Sequence, residues 1–127
     1  MTKTIVFDLD DTICYPNHSE KDSHLKYGSA KPNVAVIKYM KDLKKVGYHI
    51  TICSARRMVT HSGDIDKIMS DIGDLTIDWL KQYDVPYDAI HFGKPYSSTW
   101  YVDDKAMDLN TFYKWADYEI NSMRENR

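Results

Sequence analysis

The chain reads as an α/β fold built on a parallel sheet, and three features of the sequence predict it. An apolar run from Thr4 to Phe7 breaks abruptly into Asp8-Leu9-Asp10-Asp11-Thr12, the pattern of a buried strand that ends in a polar loop. A stretch with helical periodicity follows from Asn33, and a second apolar run from Tyr48 to Cys53 comes after it. Strand, helix, strand in that order is a right-handed crossover between parallel strands. The length of 127 residues is enough for one core, so a single domain over 1–127 is expected.

After the opening strand, Cys14 to Pro32 is polar and broken by Pro16, Asn17, Gly28 and Pro32, which predicts a loop or flap with little regular structure. Val34, Ile37, Met40, Leu43 and Val46 then recur at three-residue steps among lysines. This is an amphipathic helix capped by Asn33 and stopped by Gly47. The second strand, Tyr48 to Cys53, ends on Ser54-Ala55-Arg56-Arg57, and Arg56 to Gly63 reads as a surface loop. Ile65 to Tyr83 is helical with an interruption around Gly73, and Pro86 closes the connection. Ala89 to Phe92 is a third strand, and Trp100-Tyr101-Val102 is expected as a fourth that ends on Asp103-Asp104. A last helix from about Asp108 to Met123 carries Phe112, Trp115, Ala116 and Ile120 on one face.

Composition narrows the function. A net charge of -2 and a pI near 6.2 leave no basic footprint for nucleic acid, whose binding rests on Lys and Arg neutralising phosphates. Cys14 and Cys53 form neither a disulfide framework nor a C-x-x-C pair, so a reducing cytoplasm is the expected compartment. No export signal is seen, and no apolar run approaches the roughly 20 residues of a membrane span. His18, His24, His49 and His91 lack metal-ligand spacing.

The polar groups fall at the carboxyl ends of the expected strands: Asp8, Asp10, Asp11 and Thr12 on the first, Ser54 on the second, Asp103-Asp104 on the last. Lys94 follows the third strand between Gly93 and Pro95. In a parallel sheet these groups converge on one crevice, where ligands bind. Crowded carboxylates repel one another and call for a cation, with a divalent metal on hard oxygen ligands the natural one. An EF-hand loop is excluded, because Ile13 and Ser19 occupy its required glycine and glutamate positions. An acid after a strand can also be a simple N-cap, as Asp10 or Thr12 could be here. Together, the carboxylates, the hydroxyl and the ammonium suit phosphoryl transfer.

On these residues the sequence resembles the haloacid dehalogenase superfamily, specifically its Mg²⁺-dependent phosphatases. Asp8-Leu9-Asp10-Asp11-Thr12, Ile52-Cys53-Ser54, Lys94 and Asp103-Asp104 match the family's motifs in order. The resemblance implies a three-layer Rossmann-like fold, with a central parallel sheet and helices on both faces. It also implies that Asp8 is the nucleophile and Asp10 the general acid/base. Asp8, Asp10 through its main-chain carbonyl, Asp103 and Asp104 would hold Mg²⁺, while Ser54 and Lys94 bind the phosphoryl group. Asp at position 10 favours phosphoester hydrolysis over dehalogenation or ion pumping. The intervals Ile13 to Pro32 and Ala55 to Gly93 leave no room for a cap domain. An open site of this kind implies a large substrate or a wall borrowed in a homo-oligomer, and a small phosphorylated metabolite is the preferred substrate. Lys31-Pro32-Asn33, Thr76-Ile77-Asp78-Trp79-Leu80, Pro86-Tyr87-Asp88 and Phe92-Gly93-Lys94-Pro95-Tyr96 look like small phosphatases of capsule and surface-sugar biosynthesis. Arg56, Arg57 and His61, which follow Ser54, are held as contacts to the non-reacting part of the substrate, with a solvated loop as the plainer alternative.

Three rivals stand beside this expectation. A receiver-type phosphoacceptor domain has a similar acidic pair but needs an Asp where this chain has Cys53-Ser54. A phosphatase of nucleotides or nucleic-acid ends would be expected to carry a basic groove. A non-catalytic binding module would be expected to have lost one of the motif positions.

Overall fold

The computed structural model describes residues 3–95 and 99–126; Tyr96, quoted above, lies outside them. Strand β1 is Thr4–Asp8, β4 is His49–Ser54 and β5 is Ala89–Phe92. They form a parallel sheet in the order β1-β4-β5, flanked by helices, as expected of a small Rossmann-like fold. The register sets Asp8 beside Cys53 and Ser54 beside Phe92. The carboxyl ends of all three strands therefore lie level at one edge of the sheet.

Helix α2, Val34–Lys45, makes the first crossover, and the Asn33 side chain caps it by accepting from the Val36 N–H at 3.2 Å. Its Val36, Ile37, Met40 and Leu43 are buried; Ile37, Met40 and Leu43 follow the three-residue periodicity, whereas Val34 is 72% exposed and Val36 turns inward in its place. The second crossover is helical from Ile65 to Gln82 in three parts: α3 (Ile65–Ile68), a π turn (Met69–Gly73) and α4 (Asp74–Gln82). The expected interruption at Gly73 is thus a widened turn rather than a break. Helix α5, Leu109–Glu125, is capped by Asp108. Phe7, Ile50, Ile52, Met40, Leu43, Trp79, Leu80, Phe112, Ala116 and Ile120 belong to one buried cluster. Within it Phe7 meets Phe112 edge to face, with ring centroids 5.3 Å apart.

Two expectations need correction. The segment Cys14 to Pro32 is more regular than its breakers suggested. It holds β2 (Cys14–Tyr15) and β3 (Lys31–Pro32), paired antiparallel, with helix α1 (Ser23–Gly28) between them. Asp22 starts α1 by accepting from the N–H groups of His24 and Leu25, and Pro32 is tolerated because a two-stranded ribbon is all edge. The expected fourth strand does not form. Residues 100–102 are irregular, with Trp100 93% and Val102 101% exposed. Among the described residues β1 pairs with β4 alone, so the other edge of β1 is open and this short apolar run does not add to it.

Candidate active site

The site begins in the turn that ends β1. The Leu9 carbonyl accepts from the N–H groups of Thr12, Ile13 and Cys14 at 3.3, 2.9 and 3.2 Å, and Asp11 takes a left-handed backbone with φ 62. Asp is among the few residues that adopt this conformation readily. The tight turn separates the three acids. Asp8 Oδ1 accepts from the Leu9 N–H at 2.9 Å, Asp10 points to Arg56, and Asp11 pairs with His18 at 2.9 Å.

Ser54 and Lys94 are joined through the backbone. The Ser54 carbonyl accepts from the N–H groups of both Gly93 and Lys94 at 3.1 Å, which fastens the loop after β5 to the end of β4. Gly93 has φ 109, a conformation that costs glycine little. The loop carries Lys94 Nζ to 3.2 Å from Asp8 Oδ1, with both side chains partly exposed. The Ser54 hydroxyl is buried and accepts from the Arg56 N–H at 3.0 Å.

Arg56 does not sit where a substrate contact was expected. Its side chain is 0% exposed. Nε lies 3.1 Å from Asp10 Oδ2 and Nη2 lies 2.8 Å from Oδ1, a side-on bidentate pair. The guanidinium is spoken for by Asp10 and faces inward. Cys14 lies against the same pair, with Sγ 3.4 Å from Asp10 Oδ1. Burial, then the Asp10 charge, push its thiol up to about 12, so it is a packed, protonated group.

Arg57 and His61 meet a partner that the sequence did not reveal. Asp71, on the π turn, accepts from Arg57 Nε at 2.6 Å and pairs with Nε2 of His61 at 2.8 Å and of His24 at 3.0 Å. These bonds, that from His61 foremost, hold its carboxyl well below the usual carboxylate range. Asp71 thereby ties α1 and the loop after β4 to the π turn. It stands among the apolar residues of a helical stretch, and its only signal was the run of basic residues needing a counter-charge.

Asp103 and Asp104 lie on an exposed segment, where Asp103 Oδ1 accepts from the Lys105 N–H at 2.8 Å. Among the described residues no three His, Cys, Asp or Glu side chains gather as a metal site. The side chains expected for Mg²⁺ are therefore not gathered: Asp8 is paired with Lys94, and Asp103 and Asp104 lie on the exposed segment. No helix among the described residues is long and apolar enough to cross a membrane.

No protein-family model matches the chain, and no curated protein matches it in sequence. Among solved structures it is similar to a structural-genomics target from Vibrio cholerae. The TM-score is 0.76 at 29% identity, over 98% of this chain and 98% of that one. It is also similar in fold to part of a Pnkp1/Rnl/Hen1 complex, at TM-score 0.53 and 19% identity over 94% of this chain and 34% of that one. A second structure, described as the Pnkp1/Rnl/Hen1 RNA repair complex, gives TM-score 0.52 at 19% identity. The chain spans about a third of those two longer proteins, at 34% and 32% of their length.

Proposed function

We propose that the protein is a phosphatase of the haloacid dehalogenase type, hydrolysing a small phosphomonoester at the carboxyl edge of its sheet. The observation that carries this reading is the approach of Lys94 to Asp8, 3.2 Å apart at the ends of two parallel strands. A carboxylate beside an ammonium can receive a phosphoryl group whose oxygens the ammonium neutralises.

In this account an Asp8 oxygen attacks phosphorus and the ester P–O bond breaks. For the leaving alkoxide to take its proton from Asp10, one Asp10 oxygen must first gain a proton and leave the Arg56 pair. Asp10 then accepts a proton from water, the hydroxide attacks the aspartyl-phosphate, and phosphate leaves with Asp8 restored. Lys94 neutralises phosphoryl charge throughout, and the Ser54 backbone holds Lys94 in place. Mg²⁺ is proposed as the cofactor, with Asp8, the Asp10 carbonyl, Asp103 and Asp104 as its donors, which requires the Asp103-Asp104 segment to approach Asp8. When bound, the ion would supply further neutralisation of phosphoryl charge.

The test is hydrolysis of p-nitrophenyl phosphate with and without Mg²⁺, followed by a panel of sugar phosphates, nucleotides and 3′-phosphorylated oligonucleotides. Sugar phosphates are expected to lead the panel, given a net charge of -2. Preference for the oligonucleotides would instead favour a nucleic-acid-end phosphatase, a role consistent with the RNA repair assemblies whose fold it shares in part.

A further inference from the structure

Three residues from separate parts of the chain grip the loop that carries Lys94. The Ser54 carbonyl, at the end of β4, accepts from the N–H groups of Gly93 and Lys94. Ile65, the first residue of α3, lies so close to Gly93 that a Cβ there would come within 2.7 Å of Ile65 Cδ1. The third grip is Tyr101, from the irregular segment before α5. Its ring centroid lies 5.0 Å from Lys94 Nζ, and its hydroxyl donates to the Pro95 carbonyl at 2.9 Å.

The first two grips act on the backbone of the loop, and only Tyr101 reaches the ammonium. That difference matters because a lysine ammonium sits on a flexible four-carbon stem, so a fixed backbone does not fix Nζ. The ion pair with Asp8 is partly exposed on both sides, and such a pair restrains weakly, since ordering two side chains offsets most of its attraction. The face of an aromatic ring attracts a cation. Here the ring is itself fastened, through its hydroxyl, to the residue that follows Lys94. Tyr101 also differs from its neighbours: Trp100 is 93% and Val102 101% exposed, whereas Tyr101 is 49% exposed. The segment thus turns this one side chain toward the site. Resting on the phosphatase reading above, we infer that Tyr101 is a positioning residue for Lys94, keeping the ammonium at Asp8, where that reading puts the phosphoryl group.

The test is a double-mutant cycle in kcat/KM on p-nitrophenyl phosphate, with amine labelling beside it. Tyr101→Phe keeps the ring and loses the bond to Pro95, and is expected to lower kcat/KM by about 3-fold. Tyr101→Leu loses both and is expected to lower it by about 10-fold. In a Lys94→Ala background Tyr101→Leu should cost less than about 2-fold, as residues acting in one unit do. Acetic anhydride labelling, read by mass spectrometry, should modify Lys94 several-fold faster in Tyr101→Leu than in wild type, with Lys38, exposed on α2, unchanged. Tyr101 is half exposed, so these variants empty no core position, and unchanged urea unfolding confirms that they fold. Losses that multiply in the double variant, wild-type kinetics in Tyr101→Leu, or unchanged labelling of Lys94 would overturn the assignment. Wild-type protein that does not turn over the ester removes the phosphatase reading and this assignment together, whereas active wild type with any of those three results removes the assignment alone.

Discussion

Lys94 Nζ and Asp8 Oδ1 lie 3.2 Å apart, although they extend from β5 and β1, two strands with β4 between them. The contact spans the central strand at the edge where all three strands end. Lys94→Ala is expected to lower kcat/KM by about 10²- to 10³-fold, the scale of removing one preorganised stabiliser of transition-state charge. Lys94→Arg should recover part of this loss. Steady-state kinetics on p-nitrophenyl phosphate measures both.

Two glycines separate backbone strain from site geometry. Gly47 and Gly93 have φ of 103 and 109. A Cβ at Gly47 meets nothing within 4 Å, whereas one at Gly93 comes within 2.7 Å of Ile65 Cδ1. Alanine at Gly47 should cost about 1–3 kcal/mol in urea unfolding from backbone strain, and alanine at Gly93 at least as much, since Ile65 must also shift. Only Gly93→Ala should also lower kcat/KM, because it alone adjoins Lys94.

The Asp71 cluster carries a pH dependence of stability. Asp71 is lowered by its bonds to His61, Arg57 and His24, so its contribution is present above the ordinary carboxylate range and is lost as pH falls through the lowered value. His24 is raised, chiefly by its bond to Asp71. Its contribution is complete below about 6.5 and is lost as pH rises through the raised value. The cluster is therefore strongest between about pH 4 and pH 6.5. Thermal unfolding should show the wild type losing more between pH 6 and pH 8.5 than Asp71→Asn does, and a wild-type curve parallel to that of the variant would contradict this.

Ile52 lies on the central strand, 0% exposed, two residues before Ser54. Ile52→Ala should cost about 2–5 kcal/mol, and Ile52→Val about 0.5–1.5. Denaturant titration checks both.

The parts of the fold that were legible in the sequence are those where one local pattern decides the outcome. The run Ile5-Val6-Phe7 before Asp8, the steps Val34, Ile37, Met40 and Leu43, and the signals at Asn33 and Gly47 each specify their element without help from elsewhere. The flap was misread because Cys14 and Pro32 pair across a long interval and α1 depends on the Asp22 cap. Neither leaves a periodic signal. Trp100-Tyr101-Val102 was misread because three apolar residues are too short a run to specify a strand by themselves, even with the edge of β1 open. In the site, strand ends foretold that Lys94 comes to Asp8. The sequence did not foretell that Arg56 turns inward while Arg57 turns to Asp71. Two adjacent arginines look alike in sequence, and what divides them is the left-handed backbone at Arg57, with φ 61.

The proposed role of Asp8 as nucleophile of a Mg²⁺-dependent phosphatase is tested most directly by p-nitrophenyl phosphate hydrolysis by wild type and Asp8→Asn across a Mg²⁺ titration. The expected result is wild-type activity that rises from background with Mg²⁺ and saturates, with Asp8→Asn at background at every concentration although folded. Turnover by Asp8→Asn at the wild-type rate, or wild-type activity indifferent to Mg²⁺ and chelator, would contradict the account.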